Sequence, residues 1–186
     1  MQLKVSLFII LAAGAIGCVD IPDFSDTPTI YYNGIDQYTQ VDTLANGTVQ
    51  RNEKVTITID FEDGDGDLGA SADDIQDSTN FRSRYLTMPG WGLEANYELV
   101  TMRMNRDSTW SESILPGDRF KWFPLLKPDG KAGPIKGKLD LYVDFRYGNS
   151  SVMTPIKFKV RIIDRNFHIS NQTPETDVVI VPLPRE

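Results

Sequence analysis

Three stretches of this chain alternate apolar and polar residues with a period of two, and that pattern leaves little choice of secondary structure. Over 54–61, Val55, Ile57, Ile59 and Phe61 point one way while Thr56, Thr58 and Asp60 point the other. Over 138–145, Leu139, Leu141, Val143 and Phe145 alternate with Lys138, Asp140, Tyr142 and Asp144. Over 156–163, Ile156, Phe158, Val160 and Ile162 alternate with Lys157, Lys159, Arg161 and Ile163. Successive side chains of a strand leave opposite faces, so each stretch is predicted to be a strand with one face on a core. Further strands are predicted at 29–32, at 97–104, where the apolar set changes face, at the aromatic-rich 119–125, and at 178–181 before Pro182. Lys127-Pro128-Asp129-Gly130 and Tyr147-Gly148-Asn149-Ser150 have turn chemistry. No amphipathic helix, internal repeat or low-complexity segment is apparent. About seven strands separated by Gly, Pro, Asn and Asp point to an all-β chain folded as a single antiparallel sandwich.

The N-terminus carries a different signal. Lys4 precedes an apolar run from Val5 to Ile16 that only Ser6 and Gly14 interrupt. The run is too short to cross a bilayer as a helix and has the length of a signal-peptide core. It ends in Ala15-Ile16-Gly17-Cys18, which resembles the lipobox of bacterial lipoproteins, with Ala15 where Leu is usual. That resemblance implies cleavage after Gly17 and acylation of Cys18. Cys18 is the only cysteine, so no intrachain disulfide can form. We therefore expect a lipoprotein signal peptide at 1–17, an acylated N-terminus and tether at 18–28, and the sandwich at 29–186. Two or more acyl chains make membrane anchoring stable. Removing 17 residues from 186 leaves 169, enough for one core.

Charge narrows the partners. The net formal charge is −7, and Lys4 is the only cation of the leader, so the mature part is more acidic still. Lys and Arg are scattered singly, without a basic run, which argues against a nucleic-acid partner.

The first clean strand runs straight into Glu62-Asp63-Gly64-Asp65-Gly66-Asp67-Leu68-Gly69. Carboxylates at alternate positions with glycines between them can curl around a hard cation, and calcium takes six to eight oxygens in flexible geometry. With Asp63 as position 1, Asp65, Asp67, the Gly69 carbonyl, Ser71 and Asp74 fall at positions 3, 5, 7, 9 and 12, the oxygen spacing of an EF-hand loop. Leu68 replaces its glycine and Asp74 its final glutamate. The competing interpretation is a solvated acidic turn. Gly64-x-Gly66-x-x-Gly69 also matches the dinucleotide fingerprint, but Asp65 and Asp67 would repel a phosphate and no helix is predicted to follow. In an immunoglobulin-like sandwich the loops after the second and sixth strands share a pole. Asp164, after the sixth predicted strand, should therefore join Asp63. Asp164 and Asn171 would either complete the cation shell or fasten the last loop.

The strand leading into DGDGDLG, the Ile135-Lys136-Gly137-Lys138-Leu139 strand start, and Val160-Arg161-Ile162-Ile163-Asp164-Arg165 with Ser170-Asn171 together resemble a group of uncharacterised lipoproteins of Bacteroidota. The resemblance spans most of 27–183. It implies an immunoglobulin-like fold and outer-membrane attachment, on either face, and brings no established activity with it.

Catalysis has little to work with. Cys18 is assigned to lipid, His168 is the only imidazole and is expected on the surface, and no Gly-x-Ser-x-Gly elbow occurs. We expect no enzyme and no catalytic residues. The long connection from Ala70 to Ala95 carries Phe81, Tyr85 and Trp91 as candidate partner-contacting aromatics, Trp91 in a Pro-Gly-Trp-Gly turn. Trp91 could stack on a glycan or fill a protein pocket, or else fold back as a lid. The expected role is a calcium-stabilised binding or accessory module. The alternatives are an architectural subunit of an outer-membrane complex and a glycan binder.

Overall fold

The computed structural model describes residues 22–148 and 151–184. The expected signal peptide and Cys18 lie outside the described residues, as do Asn149 and Ser150 of the expected second turn. The chain forms β1 (Thr29–Thr43), β2 (Val49–Asp63), α1 (Ala72–Gln76), α2 (Phe81–Thr87), β3 (Tyr97–Met104), β4 (Trp110–Ser113), a 3-10 turn (Pro116–Phe120), β5 (Ile135–Arg146), β6 (Ser151–Ile162) and β7 (Val179–Pro184). Two antiparallel sheets, ordered β1-β2-β5 and β4-β3-β6-β7, make the expected seven-stranded sandwich.

The alternating residues do what their period requires. Val55, Ile57, Ile59 and Phe61 of β2 and Leu141, Val143 and Phe145 of β5 are buried against Leu99 of β3 and Ile156, Phe158, Val160 and Ile162 of β6. Burying an aliphatic or phenyl side chain is worth roughly 1.5–3 kcal/mol, so this double layer holds the sheets together.

Elsewhere the elements differ from the predicted ones. β1 is 15 residues long rather than four, because it pairs with β2 along its whole length. Most of its outer half is exposed on both faces, so no apolar alternation marks it. The stretch 119–125 is not a strand. It leaves the 3-10 turn and drops Phe123 into the core, while the missing strand is β4, four residues pairing with the end of β3. The connection 70–95 holds two short helices. The first forms because Ser71 and Asp74 make a capping box: the Ser71 side chain accepts from the Asp74 N–H, and Asp74 accepts from the Ser71 N–H. The turn at 127–130 is present, with the Gly130 N–H donating to the Lys127 carbonyl.

Side-chain amides close the open side of the sandwich. Gln37 of β1 bonds both the N–H and the C=O of Ile180 in β7. Asn171 does the same to Ile30, so it fastens β1 to the last loop. The segment 170–176 runs beside β6 without being a strand. Ser170, Thr173 and Thr176 accept from the N–H groups of Ile162, Val160 and Phe158 through their hydroxyls. Their own N–H groups donate to the carbonyls of the same three residues. The result is a hydroxyl ladder with a period of three.

Candidate metal centre

β2 ends at Asp63 and β6 at Ile162, two residues before Asp164, and the antiparallel arrangement brings both ends to one pole. Asp63 and Asp164 are fully buried. Asp63, Asp67 and Asp164 each present a carboxylate oxygen, and these oxygens lie within 4.8 Å of one another. The loop between them turns sharply at Gly66, whose φ of 74° lies in the left-handed region and whose Cβ position is 2.3 Å from the Gly133 carbonyl oxygen. Only glycine fits there. The Gly133 N–H in turn donates to the Asp65 carbonyl at 2.9 Å.

The hydrogen bonds divide each loop carboxylate into a held oxygen and a free one. Asp63 Oδ2 accepts from the Asp67 N–H, Asp67 Oδ2 from the Asn166 N–H, and Asp65 Oδ2 from the Asn166 side-chain amide, at 3.0–3.1 Å. Asp63 Oδ1, Asp65 Oδ1 and Asp67 Oδ1 are all buried and have no hydrogen-bond partner. A buried charged oxygen without a partner is expensive. Three on one loop are oxygens that could hold a cation. Asp65 falls outside the 4.8 Å group, yet its free oxygen completes this set.

The electrostatics agree. Burial, and then the charges of Asp65, Asp67 and Asp164, push the Asp63 carboxyl up to about 7. Burial, and then Asp164 and Asp65, push Asp67 to about 6. Asp164 is also raised, chiefly by burial, although His168 opposes the shift. Asp164 Oδ1 accepts from the His168 N–H at 2.7 Å, and its Oδ2 is 2.9 Å from His168 Nδ1. His168 is therefore more than the surface residue expected. Its side chain is 42% exposed, yet its ring holds a buried carboxylate. Partial burial disfavours the imidazolium, but Asp164 and the Asp26 backbone raise the histidine's pKa overall.

Asp74 does not join the cluster. It is committed to the Ser71 capping box and to an ion pair with Arg165. Burial works against its charge, but Arg165 and Ser71 together hold its carboxyl below the ordinary range. The EF-hand spacing fails after Asp67 for a packing reason. Leu68, at the position that should be glycine, is buried in the core, and its carbonyl accepts from the Leu126 N–H. Ala70 then bridges to Pro124, so the chain leaves the cluster instead of wrapping it. Ser71 goes with the cap, and Asn171 with Ile30.

The aromatic candidates are also relocated. Tyr85 and Trp91 are buried with Leu93, Ala95 and Ile163 in a second core, and Phe81 is half-buried against it. Trp91 Nε1 donates to the Ala95 carbonyl and Tyr85 Oη to the Asp164 carbonyl. Phe81 packs tilted against Tyr85 at 5.1 Å, and Trp122 meets it edge to face at 5.0 Å. The Pro-Gly-Trp-Gly turn folds Trp91 inward, because its indole gains both apolar neighbours and an acceptor there. These rings support the loop that carries Asp164, with Tyr85 and Trp91 turned away from solvent.

Asn166, which donates to two of the loop aspartates, is not among the residues the sequence points to. Its only sequence signal is its place two residues after Asp164. No protein-family model, curated protein or solved structure matches this chain.

Proposed function

We propose that the chain is a lipid-anchored lipoprotein of the outer membrane, held through Cys18, whose β-sandwich binds a calcium ion at the acidic pole and serves as a binding or accessory module. The observation that carries the cation reading is the set of three buried, unpartnered oxygens on Asp63, Asp65 and Asp67. With Asp164 the donors are all carboxylate oxygens, the ligand type of hard cations. Calcium is favoured over magnesium because the loop supplies several protein oxygens at irregular positions, whereas magnesium keeps its waters and wants a strict octahedron. Sites outside the cell fill at about 10⁻⁴–10⁻³ M.

The test is thermal unfolding of the protein with calcium, with magnesium and with chelator. A ligand at 100 times its Kd adds roughly 2.7 kcal/mol, or about 5–10 °C for a chain of this size. Equal midpoints in all three would remove calcium from the proposal.

For the partner, an architectural role in an outer-membrane complex is favoured over glycan binding. Burial of Tyr85 and Trp91 takes away the aromatic platform a sugar would need. The β1–β2 hairpin meanwhile exposes Tyr38, Val41, Leu44 and Val49 to between 43 and 59%. A protein that copurifies stoichiometrically with the wild type, and is lost from a Val41→Glu/Val49→Glu variant, supports the architectural role. Retention on a polysaccharide column would support the glycan reading instead.

A further inference from the structure

We infer that cation binding at the acidic pole controls whether the segment after Cys18 stays docked on the domain, and so sets the length of the free tether. The inference rests on the cation reading above and adds its regulation.

The segment 24–26 lies across both loops that deliver the carboxylates. The Gly64 N–H, between Asp63 and Asp65, donates to the Ser25 carbonyl at 2.9 Å. The approach is so close that a Cβ on Gly64 would sit 2.4 Å from the Phe24 carbonyl oxygen and 2.9 Å from Asp26 Oδ1. From the other loop, the Asp26 backbone contributes to the raised pKa of the same ring that holds Asp164. Among the described residues, little else secures this segment. Ser25, Asp26 and Thr27 are exposed and Phe24 is half-buried, and the chain is first firmly held at the buried Pro28 and at β1. Docking therefore depends on the shape of the Asp63–Asp67 loop.

That shape in turn depends on charge. Without a cation, the free oxygens of Asp63 and Asp65, on either side of Gly64, have no partner to hold the loop at the surface that Ser25 meets. A divalent cation draws them together and restores it. A chain anchored at Cys18 meets the domain at Phe24 when the segment is docked and at Pro28, four residues later, when it is released. At ~3.5 Å per extended residue, four more residues give the domain about 14 Å of additional reach from the bilayer. Linkage makes the effect reciprocal, so a docked segment must tighten cation binding by the factor by which the cation favours docking.

The test uses the full chain in detergent, with calcium chloride or with chelator. Two rates are read: NMR exchange of the Gly64 amide, and chymotryptic cleavage after Phe24. Calcium should slow both at least about fivefold, the scale of one backbone hydrogen bond. Gly64→Ala, which leaves every carboxylate in place, should abolish the protection of Phe24 and weaken calcium binding by a matching factor. A rise in thermal midpoint with calcium, with both rates unchanged, would overturn the coupling and leave the cation reading standing. Unchanged rates and an unchanged midpoint would remove both. Should Gly64→Ala not fold, the two wild-type rates decide alone.

Discussion

Asp63 is a carboxylate with no solvent exposure and one unpartnered oxygen, and its burden changes sign with what neutralises it. Without a cation, a proton does so. Burial and the neighbouring aspartates raise the folded pKa of Asp63 to about 7 and of Asp67 to about 6, against ordinary values of 3.8. Between about pH 4 and 7 the folded state then binds more protons than the unfolded state, so cation-free stability falls as pH rises through that window. Asp164 and His168, both raised, push in the same direction, the histidine at the upper end. A bound cation keeps the carboxylates deprotonated and removes or reverses the slope. Thermal midpoints from pH 5 to 8 should therefore decline in chelator and not in calcium. A midpoint in chelator that rises toward pH 7 would contradict this account. Asp63→Asn should abolish the calcium shift while stabilising the cation-free protein at pH 7.5 by about 1–3 kcal/mol, since a buried charge is gone. Chemical denaturation in chelator measures it.

At the scale of elements, two devices make predictions independent of the cation. The hydroxyl ladder satisfies the N–H groups of Phe158, Val160 and Ile162 where β6 would otherwise have a bare edge. Thr173→Val keeps the shape of the side chain but strips the Val160 N–H of its acceptor. It should cost about 1–3 kcal/mol by urea denaturation. α1 depends on its capping box, and Asp74 also pairs with Arg165. Asp74→Ala should therefore lower stability by about 1–2 kcal/mol yet leave the calcium-induced rise in midpoint intact. A lost calcium response would mean that the EF-hand spacing had assigned Asp74 correctly.

For the molecule as a whole, the sandwich makes one site from two distant parts of the chain. The second core of Tyr85, Trp91, Leu93, Ala95 and Ile163 sits beneath the Asp164 loop and gives it a rigid floor. Tyr85→Phe removes the hydroxyl that meets the Asp164 carbonyl and keeps the ring stack. It should weaken calcium binding about two- to tenfold, read by isothermal titration, and lower cation-free stability by about 0.5–1.5 kcal/mol for the lost buried hydrogen bond. Tyr85→Ala would empty a buried aromatic site and cost roughly 3–5 kcal/mol.

What could be read from the residues alone was whatever local periodicity records. The half-buried strands β2, β5 and β6 each show a core face directly, because a strand's side chains alternate whatever the rest of the chain does. The glycine-separated aspartates and the place of Asp164 were legible for the same reason, since strand ends and sheet order fix which loops share a pole. Tertiary structure decided the remainder. β1 is drawn out by pairing with β2, β4 by pairing with β3, and neither needs a pattern of its own when the partner supplies the hydrogen bonds. Asp74 and Asp164 are the same residue type at the same acidic pole. Which of them converges with Asp63 and Asp67 follows from Leu68 and Tyr85, two buried side chains that steer the backbone. Spacing along a chain counts oxygens, but only packing decides which of them converge.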